Sequence, residues 1–209
     1  MSGTSGDGVD ASLIESNGIN EYELIEEKYF EYKPDIYRNF HKLKENVNKY
    51  EDISKLKTEL SDLERDITIF HSKIIKEFEN SHLDFLVGFH GQTIYHNPGE
   101  KISIQLGNPA KLAKLLNKNV ISDFRSKDLA LGGQGAPLAP IYHQFIIENL
   151  NLDIPFCVLN IGGVANLTYW DGNTLIGFDT GPGNCLMDDY SLAVFNKNYD
   201  DDGKLASKE

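Results

Sequence analysis

The stretch Gly177-Phe-Asp-Thr-Gly-Pro-Gly-Asn-Cys-Leu-Met-Asp188 predicts a strand, a tight turn and a helix in succession. The apolar residues before Asp179 are typical of a strand that ends at this carboxylate, and the glycines and proline after it break regular structure. Asn184 can then cap a helix over Cys185 to Phe195. An acid at a strand end, beside open backbone amides and a helix start, is placed to bind anions or activate water. A Gly-Pro turn with a solvated aspartate is the alternative.

Length and composition exclude several classes of protein. The 209 residues are enough for one large domain or two small ones with a buried core. A formal net charge of −12 argues against a nucleic-acid-binding protein, although backbone amides could still hold the phosphates of a nucleotide. Cys157 and Cys185 lack metal-ligand spacing. A disulfide framework is not expected from these two cysteines, so a reducing compartment fits better. No apolar run approaches the roughly 20 residues of a membrane helix and no signal-peptide pattern opens the chain, so we expect a cytoplasmic protein.

A segment rich in glycine and serine, Met1 to Asp10, leads into a strand predicted over Val9 to Glu15. A tight turn of this composition presents several backbone amides to one point, which binds phosphate without positive charge. A disordered terminus is the alternative. The segment is not a Walker motif, because no Gly-Lys-Ser/Thr follows.

A turn at Ser16-Asn-Gly-Ile, a strand over Tyr22 to Tyr32 and a helical region from Ile36 to Asn80 follow. Apolar residues spaced by three and four predict one face of a long helix there: Ile53, Leu56, Leu60, Leu63, Ile67, Phe70 and Ile74. A coiled coil is the alternative, but flanking strands favour a helix packed on a sheet.

Polar residues gather after the next predicted strand, Leu83 to Phe89, in the run His90-Gly-Gln-Thr-Ile-Tyr-His96-Asn-Pro-Gly. Ligands of open α/β sheets bind at the carboxyl ends of strands, so this run is a candidate binding site. The spacing of the two histidines does not fit a helical zinc pair. Turn residues that satisfy local backbone are the alternative. A short strand over Ile102 to Gln105 follows, and then a helix that Asn108 caps and that ends near Leu116.

A strand predicted over Val120 to Arg125 ends in an arginine beside the glycine-rich loop Leu131 to Leu138. The planar fork of Arg125 suits a substrate carboxylate. Pairing with Asp123 or Asp128 is the structural alternative.

The last part of the chain predicts a helix over Pro140 to Leu150 and then a β-meander. The meander consists of Phe156 to Ile161, Ala165 to Trp170 and the strand before Asp179. Its first turn, Gly162-Gly163, is flanked by Asn160 and Asn166 and is a second glycine-rich turn of the phosphate-binding type.

Seven sequence blocks occur in an order that resembles the anhydro-N-acetylmuramic acid kinase family and together span essentially the whole chain. They are Met-Ser-Gly-Thr-Ser-x-Asp-Gly-x-Asp (1–10), His-Gly-Gln-Thr-x-x-His (90–96), Gln-Leu-Gly-Asn-Pro (105–109), Ser-Asp-Phe-Arg (122–125), Gly-Gly-Gln-Gly-Ala-Pro-Leu (132–138), Asn-Ile-Gly-Gly-x-Ala-Asn (160–166) and Gly-Phe-Asp-Thr-Gly-Pro-Gly-Asn (177–184).

The resemblance implies an actin-like/sugar-kinase (ASKHA) α/β fold, with a first domain at 1–135 and the start of a second domain at 136–209. It also implies a homodimer that uses ATP and Mg²⁺ in cell-wall recycling. The implied reaction couples water attack on C1 of the 1,6-anhydro sugar to phosphorylation of O6, giving N-acetylmuramate 6-phosphate.

The resemblance assigns roles residue by residue. The general base falls on Asp179. ATP binding falls on Gly3, Thr4, Ser5, Gly6, Asp7, Gly8, Val9, Asp10, Asn160, Gly162 and Gly163. Anhydrosugar contacts fall on Gln92, His96 and Arg125, and no residue is assigned to a metal.

Three departures from the family pattern lead to further expectations. Met1 stands where the family has the tail of a first strand, and the rest of the second domain, including most of the adenosine site, is absent after Glu209. We therefore expect a fragment or one half of a split enzyme that does not turn over ATP alone. An anhydrosugar-binding module without phosphoryl transfer is the competing class. Gly6 replaces a usual apolar residue, which predicts a looser turn.

Overall fold

The computed structural model describes residues 2–3, 5–78 and 85–207, and it divides into two compact units. We call Met1–Gly135 unit 1 and Ala136–Glu209 unit 2. Both units mix helices and strands, which confirms the α/β class. None of the helices in the described ranges combines the length and the apolar character needed to cross a membrane.

Unit 1 begins with an antiparallel ribbon and continues with helices that alternate with short strands. Its elements are β1 (Gly8–Ser16), β2 (Tyr22–Glu31), α1 (Pro34–Asn46), α2 (Tyr50–Lys55), α3 (Lys57–Lys76), β3 (Val87–Gly88), β4 (Gln92–Asn97), β5 (Ile102–Leu106), α4 (Pro109–Leu116), β6 (Val120–Ile121) and α5 (Ser126–Ala130). β1 pairs antiparallel with β2, β4 pairs antiparallel with β5, and β3 pairs parallel with β6.

Unit 2 is a three-stranded antiparallel meander with helices before and after it. Its elements are α6 (Ala139–Asn149), β7 (Phe156–Ile161), β8 (Val164–Trp170), β9 (Leu175–Pro182) and α7 (Cys185–Phe195). The strand order β7-β8-β9 confirms the predicted meander.

The helical region of unit 1 is three helices where the sequence predicted one. Asp52 accepts hydrogen bonds from the backbone N–H groups of Asn48 and Lys49, which starts a new helix, α2, after the break that follows α1. A second break falls at Leu56, whose φ of −101° and ψ of 18° are not helical. The apolar stripe persists across this break and faces the core, with Leu60, Leu63, Ile67 and Ile74 buried.

Three predicted segments differ from the observed ones. The run Gln92–Asn97 is a strand, β4, where the sequence predicted polar residues following the end of a strand, with turn residues as the alternative. Only Val120–Ile121 is extended in the segment that ends at Arg125, since Asp123 accepts a bond from the N–H of Ser126 and starts α5. Of the strand predicted from Leu83, residues 83–84 lie outside the described ranges.

Strand β9 continues past Asp179, although the sequence predicted that regular structure ends there. A bulge accommodates Thr180, and its hydroxyl donates to the carbonyl of Ala165. Gly181, with a φ of +136°, then pairs with Ala165. Asp179 therefore lies inside a strand, in a fixed register.

Candidate functional site

Asp179 lies in a row of three polar residues that crosses the meander of unit 2. It is opposite Asn166 on β8, and Asn166 is opposite Asn160 on β7. Residues that are directly opposite on neighbouring strands share one face of a sheet, so the three side chains lie side by side. The Asn166 Oδ1 is buried without a hydrogen-bond partner among the described residues. A buried acceptor of this kind is suited to a donor from a ligand or a bound water.

Two glycine-rich turns of unit 2 are joined directly. The N–H of Gly183 donates to the carbonyl of Gly163 at 2.9 Å, and the N–H of Asn184 donates to that of Gly162 at 2.9 Å. A Cβ on Gly183 would lie 2.0 Å from the Gly162 oxygen, so only glycine permits this approach. The start of α7 is thereby held beside the Gly162-Gly163 turn. The helix bounds match the prediction, but the Asn184 side chain makes no capping bond.

The glycine-rich hairpin of unit 1 has an exposed rim and a buried base. The predicted ATP-binding residues Gly3, Ser5, Asp7 and Asp10 are exposed, and Gly6, Gly8 and Val9 are buried; Thr4 lies outside the described residues. Gly6 has a φ of +64°, and a Cβ there would lie 2.2 Å from the ring of Phe40. Phe40 thus fills the space next to Gly6, and the looser turn expected there stays a prediction.

Gln92 connects strand β4 to this hairpin. Its Nε2 donates to the carbonyl of Gly3 at 2.8 Å, and its Oε1 accepts from the Ser2 hydroxyl. The side chain has 0% of its surface exposed. A buried amide with both ends bonded orders the backbone that it contacts. Direct contact of Gln92 with a sugar stays a prediction.

His96 lies on the opposite, exposed face of β4. A bulge between Thr93 and Tyr95 places Thr93 and His96 on one side of the hairpin. The His96 Nδ1 is 3.0 Å from the Ser103 hydroxyl, and the Gln105 Nε2 donates to Ser103 at 2.7 Å. This polar row was not predicted from the sequence, where its signal is the alternation of Ser103 and Gln105 along β5. Such hydroxyl and amide groups suit a polyhydroxylated ligand.

Arg125 holds the glycine-rich loop at the end of unit 1. Its Nε donates to the Nε2 of His90 at 3.0 Å, and its guanidinium also donates to the carbonyl of Gly135 at 2.5 Å. The N–H of Gly135 in turn donates to the Asp128 carboxylate at 2.7 Å. Pairing of Arg125 with a sugar carboxylate stays a prediction, and the loop contacts fix where its guanidinium lies.

His90 takes the role of acceptor in this arrangement. Burial lowers the pKa of His90, Arg125 lowers it further, and the bond to the Gly91 carbonyl acts in the opposite direction. Because Nε2 accepts from Arg125, the network assigns the proton to Nδ1, which lies 2.8 Å from the Gly91 oxygen. His90 is therefore a neutral group that orients Arg125, a role that the sequence did not reveal.

The family comparison covers the whole chain. The sequence profile described as anhydro-N-acetylmuramic acid kinase matches residues 1–209. The chain belongs to the anhydro-N-acetylmuramic acid kinase family.

Curated members of the anhydro-N-acetylmuramic acid kinase family match at substantial identity. The protein of that name from Pelagibacter ubique is 49% identical over 212 residues, which cover 99% of this chain and 56% of the relative. Those from Nitrobacter winogradskyi and Rhodopseudomonas palustris are each 40% identical, over 100% of this chain and 58% and 59% of the relatives. The chain thus spans less than two thirds of the length of these family members.

Proposed function

We propose that this chain carries the water-activating part of an ATP-dependent kinase with an actin-like/sugar-kinase fold. The kinase opens 1,6-anhydro-N-acetylmuramic acid and phosphorylates O6, giving N-acetylmuramate 6-phosphate in cytoplasmic peptidoglycan recycling. The observation that carries the proposal is the position of Asp179 in one row with Asn160 and Asn166, within a chain that matches the family from end to end.

Asp179 acts as the general base in this proposal. Its carboxylate takes a proton from water as the oxygen bonds to C1 of the anhydro ring and the C1–O6 bond breaks. Inverting glycosidases use a carboxylate in the same way. Asn166 can hold the water through its unpartnered Oδ1, because that oxygen accepts hydrogen bonds.

ATP with Mg²⁺ supplies the phosphoryl group that O6 accepts, and the glycine-rich turns of each unit are the proposed phosphate-binding elements. In unit 1 the exposed rim, Gly3 with Ser5 and Asp7, offers backbone amides. Within the described residues, no three His, Cys, Asp or Glu side chains are grouped to hold a metal. We propose that Mg²⁺ binds through phosphate oxygens and water, as in many kinases. A homodimer is part of the proposal, by analogy with the family.

Product formation tests the proposal. The chain is incubated with ATP, Mg²⁺ and the anhydrosugar, alone and as a chimera that continues with the C-terminal segment of the Pelagibacter relative. We expect N-acetylmuramate 6-phosphate from the chimera, and Asp179→Asn should lower kcat about 10²- to 10⁴-fold. Asp153→Asn, on an exposed loop, is the matched control and should change kcat little. Equal kcat values for the two variants would refute the role of Asp179.

A binding module or one half of a split enzyme is the second candidate. The matched region is 56% of the length of the Pelagibacter relative. Calorimetry distinguishes the two: binding of the anhydrosugar to the chain alone, without ATP binding, would favour the second candidate.

A further inference from the structure

The glycine-rich hairpin of unit 1 carries negative charge on its exposed rim. Asp7 is exposed there and accepts a hydrogen bond from the Ser5 hydroxyl at 2.9 Å. Asp10 follows on β1 and is also exposed. Backbone amides can hold a phosphate without help, but a carboxylate next to them repels it. A cation beside the hairpin would offset that repulsion.

Helix α1 packs against the turn of the hairpin through Phe40. The ring occupies the space of a side chain at Gly6, since a Cβ there would lie 2.2 Å from it. The Lys44 Nζ lies over the same ring, 5.5 Å from its centre. Lys44 is half-buried, one turn of α1 after Phe40. One aromatic ring thus has the hairpin turn and a lysine ammonium as neighbours.

His41, the next residue of α1, connects Lys44 with the rim of the hairpin. Burial lowers the pKa of His41, and the Lys44 ammonium lowers it further. The Glu45 carboxylate, the Ser5 carbonyl and the Asp7 carboxylate raise it, and Ser5 does so through a hydrogen bond. The imidazole therefore bonds to the backbone of the hairpin and lies within electrostatic reach of both Lys44 and Asp7. These groups form one cluster where α1 meets the hairpin.

Lys44 is suited to bind an anion in this cluster. Burial lowers its pKa, which shows that its ammonium is partly removed from water. A charge in such a place interacts more strongly with an anion, because the effective dielectric constant is lower than in water. The four-carbon stem of a lysine is flexible, so the ammonium can move from the Phe40 ring toward a ligand. A polyphosphate carries more negative charge than the nearby carboxylates of Asp7 and Glu45.

We propose that Lys44 of α1 binds the polyphosphate of a nucleotide held by the glycine-rich hairpin, and that its charge offsets the repulsion from Asp7. The inference rests on the proposed function only in assigning phosphate binding to this hairpin, and it does not depend on Asp179 or on the sugar. Lys44 lies outside the seven sequence blocks, so no motif pointed to it. A purely structural contact with the Phe40 ring is the alternative.

A titration of the chain with inorganic tripolyphosphate tests the proposal without a sugar or catalysis. Nuclear magnetic resonance follows the amide signals of Gly3, Gly6 and Gly8 and the side-chain signals of Lys44. We expect both sets to shift with one Kd. The amide signal of Gly18, in the turn at the far end of the β1–β2 ribbon, should stay in place. This measurement needs no variant, so it remains decisive if a substitution prevents folding.

Substitutions separate a binding role from a structural one. Lys44→Gln keeps most of the stem over the ring and removes the charge, so it should raise the Kd about fivefold or more. Lys44→Arg keeps the charge and should stay within about threefold of the original Kd. Lys42→Gln is the matched control, because Lys42 is exposed and points away from Lys44 around the helix. Its Kd should change less than about twofold, as for a screened surface charge.

Three results would overturn the proposal. They are an absence of tripolyphosphate binding, shifts of the hairpin signals without shifts of the Lys44 signals, and equal Kd values for Lys44→Gln and Lys42→Gln. Thermal melts of the two variants check that a difference in Kd does not come from unfolding. Product formation by the chimera tests the proposed function separately, so the two can fail independently.

Discussion

Replacing Gly6 by alanine tests the packing of the glycine-rich hairpin most directly. The new Cβ would lie 2.2 Å and 2.4 Å from two carbons of the Phe40 ring. Ordinary carbon contacts are about 3.5–4.0 Å, so the ring or the turn must move by more than about 1 Å. Phe40 has no exposed surface and is enclosed by the core of unit 1, which leaves it little room to move.

The expected loss of folding stability in Gly6→Ala has two parts. A positive φ costs an alanine about 1–2 kcal/mol, and overpacking a core costs about 1–3 kcal/mol more. Gly18→Ala is the matched control, because Gly18 has a φ of +73° and no atom within 4 Å of the added Cβ. Gly6→Ala should therefore lower the free energy of unfolding by about 1–3 kcal/mol more than Gly18→Ala does.

Urea denaturation followed by far-UV circular dichroism measures this difference. The fluorescence of Trp170, the one tryptophan of the sequence, reports on unit 2 and serves as an internal reference. Adding Phe40→Leu to Gly6→Ala should recover about 1 kcal/mol or more, because residues in contact are coupled. Equal decreases in the free energy of unfolding for Gly6→Ala and Gly18→Ala would refute the argument that the added Cβ overlaps Phe40.

Three further substitutions, one of them a control, probe other features of the fold. Gly183→Ala should break the junction with Gly162 and destabilise unit 2 by about 2–4 kcal/mol, counting two hydrogen bonds and the steric overlap. Gly163→Ala, whose Cβ meets no atom within 4 Å, should cost less than about 1 kcal/mol, and thermal melts compare the two. Burial lowers the pKa of His71 to about 4 from 6.5, so the unfolded chain takes up a proton that folded His71 does not. Stability should therefore fall as the pH drops from about 6.5 to 4, by about 3 kcal/mol from this group. A pH series of melts should show a shallower fall for His71→Phe; identical slopes would contradict the assignment.

Local sequence patterns predicted the elements whose signals are local. Asn108 accepts from the N–H of Lys111 and begins α4 as expected, and α7 and the meander also match. The break at Leu56 escaped prediction because the apolar stripe continues through it. The stripe reports which side faces the core, and it does not report whether the backbone stays helical.

The candidate site was predictable in part. The glycines and proline after Asp179 identified it from the sequence as a candidate to bind anions or activate water. The proposed role of Asn166 follows from its position opposite Asp179, and that strand register could not be predicted from the sequence. Gln92 was expected to contact the sugar, which stays a prediction, and its bonds to Ser2 and Gly3 were not foreseen because these partners lie about 90 residues away. Bonds of that separation follow from the assembled fold and leave no periodic signal.

The junction between the Gly162-Gly163 turn and Gly183 also determines where unit 2 can accept inserted sequence. Residues added at Gly162 would displace the start of α7, since the two backbones bond directly. The other turn of the meander, around Gly172 and Asn173, is exposed, and Asp171 accepts hydrogen bonds there from the N–H groups of Asn173 and Thr174. A tag or reporter peptide for following this protein therefore belongs at the Gly172 turn, where it would leave the row containing Asp179 undisturbed.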